Sequence, residues 1–366
     1  MLYPDNIEIK LYLLSILVQA DSPEKAIGII EDIKLRKDVS AEDLESVIEI
    51  EEELKGKSEP KLWNFYADIS VGALHTNNVN SVSKNRLQMS SDSVIGFNTP
   101  KHDRTLSGSL GLTATRSVGE ASSFMINISQ TKSEQYFETS DDYESYGLTL
   151  ALDTSVGSQN LSPYLMLSKS DYVDDADSVS LMYGIGGYFT AGERNSFSYS
   201  YSYSDSKGNH NSSDTTANES NSISHGYTLG HDFILNQLIS TSIGIGYSDS
   251  DAKVDAGNDY ETYDISFRIS FAFPWAYISI GDALSFNDYK VADTSISSGH
   301  KRSDATNTFD IMLTKALGDF FPSIDPNRSI LINLSYDKVY SEANIMNYDY
   351  ITDSFSIGIS KSLKLN

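Results

Sequence analysis

Histidine is the residue type most able to do chemistry in this chain, because imidazole serves both as a metal ligand and as a general base. The six histidines are His75, His102, His210, His225, His231 and His300. His225 and His231 share one face of a predicted strand, but roughly 20 Å separates them at about 3.3 Å per residue. That distance excludes a shared metal ion. We expect these two histidines at the membrane interface and the other four in loops.

No other combination of residues specifies a reaction. Serine and aspartate are so common that a Ser-His-Asp arrangement would be found by chance. The chain has no phosphate-binding loop and no paired-carboxylate motif. It also has no cysteine, which removes thiol nucleophiles, thiolate metal ligands and disulfides. We expect no enzymatic activity and no cofactor.

Acidic residues form clusters that lie between predicted strands. The clusters are Asp141 with Asp142, Asp171 with Asp174, Asp175 and Asp177, and Asp249 with Asp251 and Asp255. Such oxygen-rich groups can hold calcium, but solvated loops of an acidic protein have the same composition, and we favour that interpretation. The formal net charge of -24 argues against a nucleic-acid partner, because phosphate binding requires clustered lysine and arginine.

The composition favours a membrane protein that crosses the bilayer with strands. Hydrophobic residues make up 39% of the 366 residues, yet there are 23 tyrosines and 15 phenylalanines. Strands whose alternate residues face lipid have a modest average hydropathy, as observed here (-0.30). A membrane-spanning helix requires about 20 consecutive apolar residues, and the longest apolar run, 11–18, is much shorter.

Residues 1–60 have the pattern of a short helical domain. One helix is predicted after Pro4, a second is opened by Ser22 as N-cap and Pro23 as first residue, and a third starts near Ser40. The spacing resembles a tetratricopeptide repeat, with Ala20 and Ala26 at the small positions where paired helices pack. A single repeat cannot bury its own apolar face. The segment is therefore either a cap for the rest of the protein or a partner-binding groove, and a breaker-rich linker at 55–60 ends it.

From residue 61 to 366 the hydrophobic period changes to two. Trp63–Leu74 alternates apolar and polar residues, and in 197–204 an aromatic residue alternates with serine at every position. These segments run about ten residues, as membrane strands do, whereas soluble strands average about five to six. We predict fourteen strands, near 62–74, 104–116, 123–133, 143–154, 161–170, 179–190, 196–204, 221–235, 238–248, 260–273, 276–287, 307–317, 328–338 and 350–364.

The connections between these strands alternate in length. Short connections include 236–237 and 274–275, long ones include 75–103 and 288–306, and the turn 318–327 is the one long member of the short set. Short periplasmic turns and long external loops are typical of outer-membrane barrels. An even strand number then places the helical domain and the C-terminus in the periplasm. The fold predicted is an antiparallel, up-and-down, 14-stranded transmembrane barrel preceded by helices.

The polar face of the strands carries mostly serine, glycine and threonine. Asp68, Asp264, Arg268 and Asn333 fall on this face, and we expect them to point into the lumen. A barrel of about fourteen strands with small inward residues should enclose a water-filled space unless a loop or helix fills it.

The first strand leads into the stretch from Gly72 to Asn80, and this feature resembles one of a known family. In the surface lipoprotein assembly modulator family, a periplasmic repeat domain precedes a barrel whose first strand ends in a Gly-rich turn of Asn-x-Asn type. Asn78 and Asn80 fit that pattern. The resemblance implies delivery of lipoproteins or other secreted proteins to the surface of a Gram-negative bacterium. Two features depart from the family: the helical part is shorter, and the chain ends Leu-Lys-Leu-Asn rather than in an aromatic residue.

Three functions remain open on the sequence. In the first, the barrel exports proteins, the first and last strands form a seam that opens laterally, and the helices present cargo. In the second it is a porin-like diffusion channel, and in the third an adhesin or scaffold whose external loops bind. The expected partners are exported cargo, outer-membrane lipid and lipopolysaccharide, and the barrel-assembly machinery. Because the start of the chain has no recognisable secretory signal, we expect it to be a fragment.

Overall fold

A computed structural model describes the barrel and part of the segment that precedes it. Between residues 1 and 62 the described residues are 10, 14, 23–34, 36, 39, 44, 46–48 and 50–51. From 63 to 365 the structure describes all residues except 119–120, 140–141, 174–176, 210–220, 254–257, 294–295 and 298. Contacts divide the chain into two compact units, 1–62 and 63–366.

The first unit contains helix α1 (Pro23–Lys34), which begins at the predicted proline. Ala26, Ile30 and Ile33 of α1 are fully buried, together with Leu14 and Val47. Among the described residues no helix is long and apolar enough to cross a membrane. Ala20 and most of the predicted first and third helices lie outside the described residues.

The second unit is a closed antiparallel barrel of fourteen strands, which confirms the predicted fold class. Each strand pairs with the next one in sequence, and the last pairs with the first. Two short strands, β2 (Leu87–Ser90) and β3 (Ser93–Phe97), form a separate hairpin. The barrel strands are β1 (Asn64–Thr76), β4 (Asp103–Ser117), β5 (Ser122–Gln135), β6 (Tyr143–Val156), β7 (Gln159–Tyr172), β8 (Asp177–Ala191), β9 (Asn195–Asn209), β10 (Ser222–Ile234), β11 (Ile239–Ala252), β12 (Tyr260–Phe273), β13 (Ala276–Tyr289), β14 (Ser303–Ala316), β15 (Ile330–Ala343) and β16 (Ile351–Lys364).

Several strands extend further at the long-loop end than the alternation predicted. The strand predicted at 196–204 continues to Asn209, and the one predicted at 307–317 begins at Ser303. In these extensions both faces are polar, so the hydrophobic period disappears while the hydrogen-bonded ladder continues. The predicted 75–103 loop likewise begins two residues later, which places His75 in β1 rather than in a loop, and it contains the β2–β3 hairpin.

The apolar face of every strand lies on the outside of the barrel. Val71, Ile265 and Phe355 are 55%, 52% and 52% exposed, although they belong to the most regular part of the wall. Apolar side chains on an outer surface are stable when the surrounding medium is hydrocarbon. The barrel therefore has its apolar face outside and its polar face inside, whereas a water-soluble protein has the opposite arrangement.

Aromatic rings border this apolar band at both ends. Towards the long loops, Tyr201, Tyr227, Tyr247 and Tyr263 stand side by side on four strands, with ring centroids 5.1, 6.3 and 5.2 Å apart. Towards the short turns, Phe271, Phe273 and Trp275 form a stack with spacings of 5.9 and 5.5 Å. Girdles of aromatic residues at these two levels mark the membrane interfaces of a transmembrane barrel.

One short-end connection is long and is organised by a buried carboxylate. Residues 317–329 join β14 to β15, and within them Asp325 is 3% exposed. The backbone N–H groups of Ser329 and Ile330 donate to its two oxygens at 2.8 and 2.9 Å, and the Ser329 hydroxyl donates at 3.0 Å. Burial alone would raise the pKa of Asp325, but these hydrogen bonds to the charged form outweigh burial and lower it.

The depressed pKa predicts how this turn responds to acid. A carboxylate with a lowered folded-state pKa adds stability above its unfolded pKa, and that stability is lost as the pH falls through the folded value. Asp325→Asn should therefore lower the thermal unfolding midpoint at pH 7, and the difference from wild type should narrow below about pH 3.9.

Calorimetry in detergent at several pH values measures this difference. Ser323→Ala, an exposed change in the same turn, is the control and should leave the midpoint unchanged. A difference in unfolding midpoint between Asp325→Asn and wild type that is the same at every pH would contradict the lowered pKa of Asp325.

Candidate functional site in the lumen and at the barrel seam

The inner wall of the barrel is lined mainly by serine, threonine and glycine. Fourteen strands at a spacing of about 4.8 Å and a tilt of about 40° give a backbone radius of about 14 Å. Asp68, Asp153, Asp232 and Asp264 point inward and are nonetheless exposed. Their exposure means that the lumen has space for at least a water molecule beside each of these carboxylates.

Inward carboxylates outnumber inward cations in the described strands. The cations are Arg268 and Lys364, whereas the other strand lysines and arginines point outward or lie at the rim. The inward carboxylates are Asp68, Asp103, Asp153, Asp232, Asp264, Asp304, Asp310 and Asp337. Arg302, which directly precedes β14, pairs with Asp304, and the carboxylates that remain give the lumen a negative lining.

Arg268 forms a bidentate ion pair across the lumen wall. Its Nη1 and Nη2 donate to the two oxygens of Asp310 at 2.8 and 2.7 Å, and Nη1 also donates to the Ser279 hydroxyl at 3.0 Å. Arg268 and Asp310 lie two strands apart, on either side of Gly281. A Cβ at Gly281 would collide with both partners. The missing side chain at Gly281 thus leaves the space in which the guanidinium crosses β13. Asp310 neutralises Arg268, which is one of the two inward cations.

Asn333 connects three neighbouring strands on the same wall. Its Oδ1 accepts a hydrogen bond from the Thr314 hydroxyl at 2.8 Å, and its Nδ2 donates to the Ser360 hydroxyl at 3.2 Å. Asn333 therefore stabilises the wall between β14 and β16.

The seam where the two ends of the barrel meet is closed along its length. β1 and β16 pair without interruption from Tyr66 opposite Lys364 to Thr76 opposite Ser354. At the short-turn end the backbone N–H of Leu365 also donates to the carbonyl of Phe65 at 2.9 Å. Gly72 lies directly opposite Gly358, so the middle of the seam has no side chains at that step.

Asparagine side chains fasten the seam at its long-loop end. Asn77 donates to the carboxylate of Asp353 at 2.9 Å and accepts from the backbone N–H of Asp353 at 2.9 Å. The Asn78 amide donates to the carbonyls of Val82 and Ile351 at 3.0 Å each, and it accepts from the N–H of Val82 at 2.9 Å. Asn78 is only 5% exposed and joins the loop to the start of β16.

Asn80 has a different role, because its contacts lie within the loop. Its side chain accepts from the backbone N–H of Lys101 at 3.0 Å and donates to the carbonyl of Thr99 at 3.2 Å. The sequence singled out Asn78 and Asn80 as one motif, whereas the structure gives Asn78 the cross-seam contact and Asn80 the closure of the loop on itself.

The loop between β1 and β4 is tied to two other long loops. Asn347 binds the backbone of β2 at Met89. Its side chain accepts a hydrogen bond from the N–H of Met89 at 2.7 Å and donates one to the carbonyl of Met89 at 3.0 Å. The Ser297 hydroxyl donates to Asp92 at 2.7 Å, and Lys84 pairs with Asp349 at 2.6 Å. Three long loops thus form one folded unit beside the seam.

Histidines and acidic clusters do not assemble into a metal site in the described part of the chain, where no group of three candidate ligands occurs. His225 contacts the Tyr201 hydroxyl at 3.1 Å and His231 contacts the Asn195 amide oxygen at 3.0 Å, both on the outer face. Asp249 and Asp251 both pair with Lys290 at 2.6 Å. Asp141, Asp174, Asp175, Asp255 and His210 lie outside the described residues.

A protein-family model matches residues 63–363, which include every barrel strand except the last residue of β16. Its description is surface lipoprotein assembly modifier. The chain belongs to this family. It is an outer-membrane β-barrel, and the family resemblance noted from Asn78 and Asn80 is confirmed. No curated protein sequence matches the chain.

Solved outer-membrane proteins overlap the barrel at low identity. A loop L8 deletion mutant of OmpT from Vibrio cholerae is 9% identical, with 82% of this chain and 99% of that chain covered and a TM-score of 0.44. OccAB1 from Acinetobacter baumannii is also 9% identical, with 84% and 99% covered and a TM-score of 0.42. An outer-membrane channel from Pseudomonas putida F1 is 11% identical, with 81% and 95% covered and a TM-score of 0.42.

The residues singled out from sequence fall into three places. Asp68, Asp264, Arg268 and Asn333 lie on the inner wall, Asn78 and Asn80 lie in the loop beside the seam, and Ala26 lies in the helical core. Asp310 was missed, although its inward position in an alternating strand could have indicated it. Its pairing with Arg268 depends on the register of three strands, which the sequence pattern does not specify.

The contrast between Asn78 and Asn80 is testable by substitution. Asn78→Ala removes a contact to β16 and leaves buried backbone groups without partners, so amide exchange should rise in both 77–102 and 351–355. Asn80→Ala should raise exchange in 77–102 alone. Hydrogen–deuterium exchange on the detergent-solubilised barrel measures both, and equal protection of 351–355 in the two variants would contradict the cross-seam role.

Proposed function

We propose that this barrel delivers lipoproteins to the cell surface across the outer membrane, with the helical segment in the periplasm receiving the cargo. The observation that carries the proposal is the family match, because it spans the barrel from its first strand to its last. Cargo is then an exported lipoprotein. The barrel-assembly machinery inserts the barrel, and the outward aromatic belts contact lipid and lipopolysaccharide.

The orientation follows from the topology together with loop length. β1 begins and β16 ends at the same end of the barrel, the end that carries the short turns. Outer-membrane barrels have their short turns in the periplasm. In this proposal residues 1–62 lie on the side from which a lipoprotein arrives, and the folded long loops lie on the side where it is displayed.

The seam gives the cargo a route that a simple pore does not. A lipoprotein carries an acyl anchor that is stable in hydrocarbon and a polypeptide that is stable in water. Opening between β1 and β16 would let the polypeptide occupy the hydrated lumen while the anchor stays in the bilayer. The glycines at the centre of the seam, Gly72 and Gly358, remove side-chain packing that such an opening would have to disrupt.

Deleting residues 1–60 tests the role of the helical segment. In cells that have no other copy of the protein, the deletion should abolish surface exposure of lipoproteins while the barrel still inserts. Protease shaving of intact cells followed by mass spectrometry measures exposure, and heat-modifiable gel mobility reports insertion. Unchanged exposure with a normally inserted barrel would contradict cargo reception by these helices.

Locking the seam tests the lateral route. The chain has no cysteine, so a pair introduced at Val71 and Ile359, which face each other on β1 and β16, is the only disulfide that can form within the chain. Its oxidation should stop display and its reduction should restore it. The matched control, cysteines at Val71 and Gly108, joins β1 to β4 instead. Display that persists with the seam pair oxidised, or that stops equally with the control pair, would exclude opening at this seam.

A further inference from the structure

The inner face of the barrel wall carries charges that bear on ion passage, whether or not the barrel delivers lipoproteins. Exposed inward carboxylates show that the lumen has space for water beside the wall at several heights. Small side chains line most of the remaining surface, and a backbone radius of about 14 Å leaves room for hydrated ions. The charges on such a wall attract or repel any ion that enters the lumen.

The free inward charge is negative. Within the described part of the chain, Asp68, Asp232 and Asp264 have no ion-pair partner. The cation Arg268 is held by both oxygens of Asp310, so its charge is cancelled locally. Lys364 is the last residue of β16.

These charges act over the whole width of the lumen at moderate salt. The Debye length is about 10 Å at 0.1 M ionic strength and about 3 Å at 1 M. The radius of the lumen is somewhat smaller than the backbone radius of about 14 Å. Rings of acidic side chains enrich cations in a pore and exclude anions. Low-dielectric walls focus the field further along the axis.

We propose that the barrel conducts small ions and selects cations over anions, with Asp68, Asp232 and Asp264 among the free charges that set the preference. Arg268 limits the preference, since it masks Asp310. The expected permeants are hydrated monovalent cations such as potassium.

Reversal potentials of the full chain in planar phospholipid bilayers under a potassium chloride gradient test this proposal. Wild type should favour potassium over chloride severalfold near 0.1 M salt, and the ratio should fall towards one near 1 M because screening shortens the reach of the wall charges. Asp68→Asn combined with Asp264→Asn should lower the ratio while conductance persists. Arg268→Met should raise the ratio, since Asp310 is then unmasked.

The control is an aspartate on the other face of the wall. Asp282 lies in the middle of β13 and points outward, where it accepts a hydrogen bond from Asn307 at 2.7 Å. Asp282→Asn removes the same charge without changing the lumen, so the permeability ratio should equal that of wild type. A wild-type barrel that is silent, non-selective or chloride-selective would overturn the proposal. A ratio that falls as much in Asp282→Asn as in Asp264→Asn would also overturn it.

Discussion

The need to satisfy every backbone hydrogen bond in an apolar medium is the constraint on which the rest of this structure depends. An unpaired N–H or C=O group costs several kcal/mol in hydrocarbon, so a sheet that enters the bilayer must have no free edge. Pairing of β1 with β16 removes the two edges that a 14-stranded sheet would otherwise expose. Because every pair is antiparallel, this closure requires an even number of strands and puts the start of β1 and the end of β16 at the same end of the barrel.

Closure also explains how a chain of such low hydropathy forms a membrane protein. Each strand presents alternate residues to lipid and to the lumen, so the apolar residues need to cover only one side. Serine and glycine on the other side keep the lumen wide, and the polar hydroxyls pair with one another across strands, as Ser70 and Ser109 do at 2.7 Å and Ser335 and Ser356 do at 2.7 Å. Small side chains on this inner face leave space in the interior instead of filling it.

The sequence was sufficient for the features that depend on a local period, and insufficient for those that depend on register. Alternation from Trp63 onward predicted fourteen strands, because one face of each had to be apolar. The alternation did not predict the strand ends near Asn209 and Ser303, where both faces are polar. The β2–β3 hairpin was missed for a different reason, because strands of four and five residues are too short to show a period. Asp68 and Arg268 could be placed on a face by counting, but the partner of Arg268 lies 42 residues away and depends on how three strands align.

The asymmetric fastening of the seam gives the barrel a polarity along its axis. At the long-loop end, Asn77 and Asn78 add side-chain bonds to the ladder and lie beneath a folded group of three loops. At the opposite end, beyond the last ladder pair, the backbone N–H of Leu365 donates to the carbonyl of Phe65. Under the proposed lateral route, strand separation would therefore begin at the short-turn end of the seam and stop at Asn77 and Asn78, so the seam would stay paired at its long-loop end.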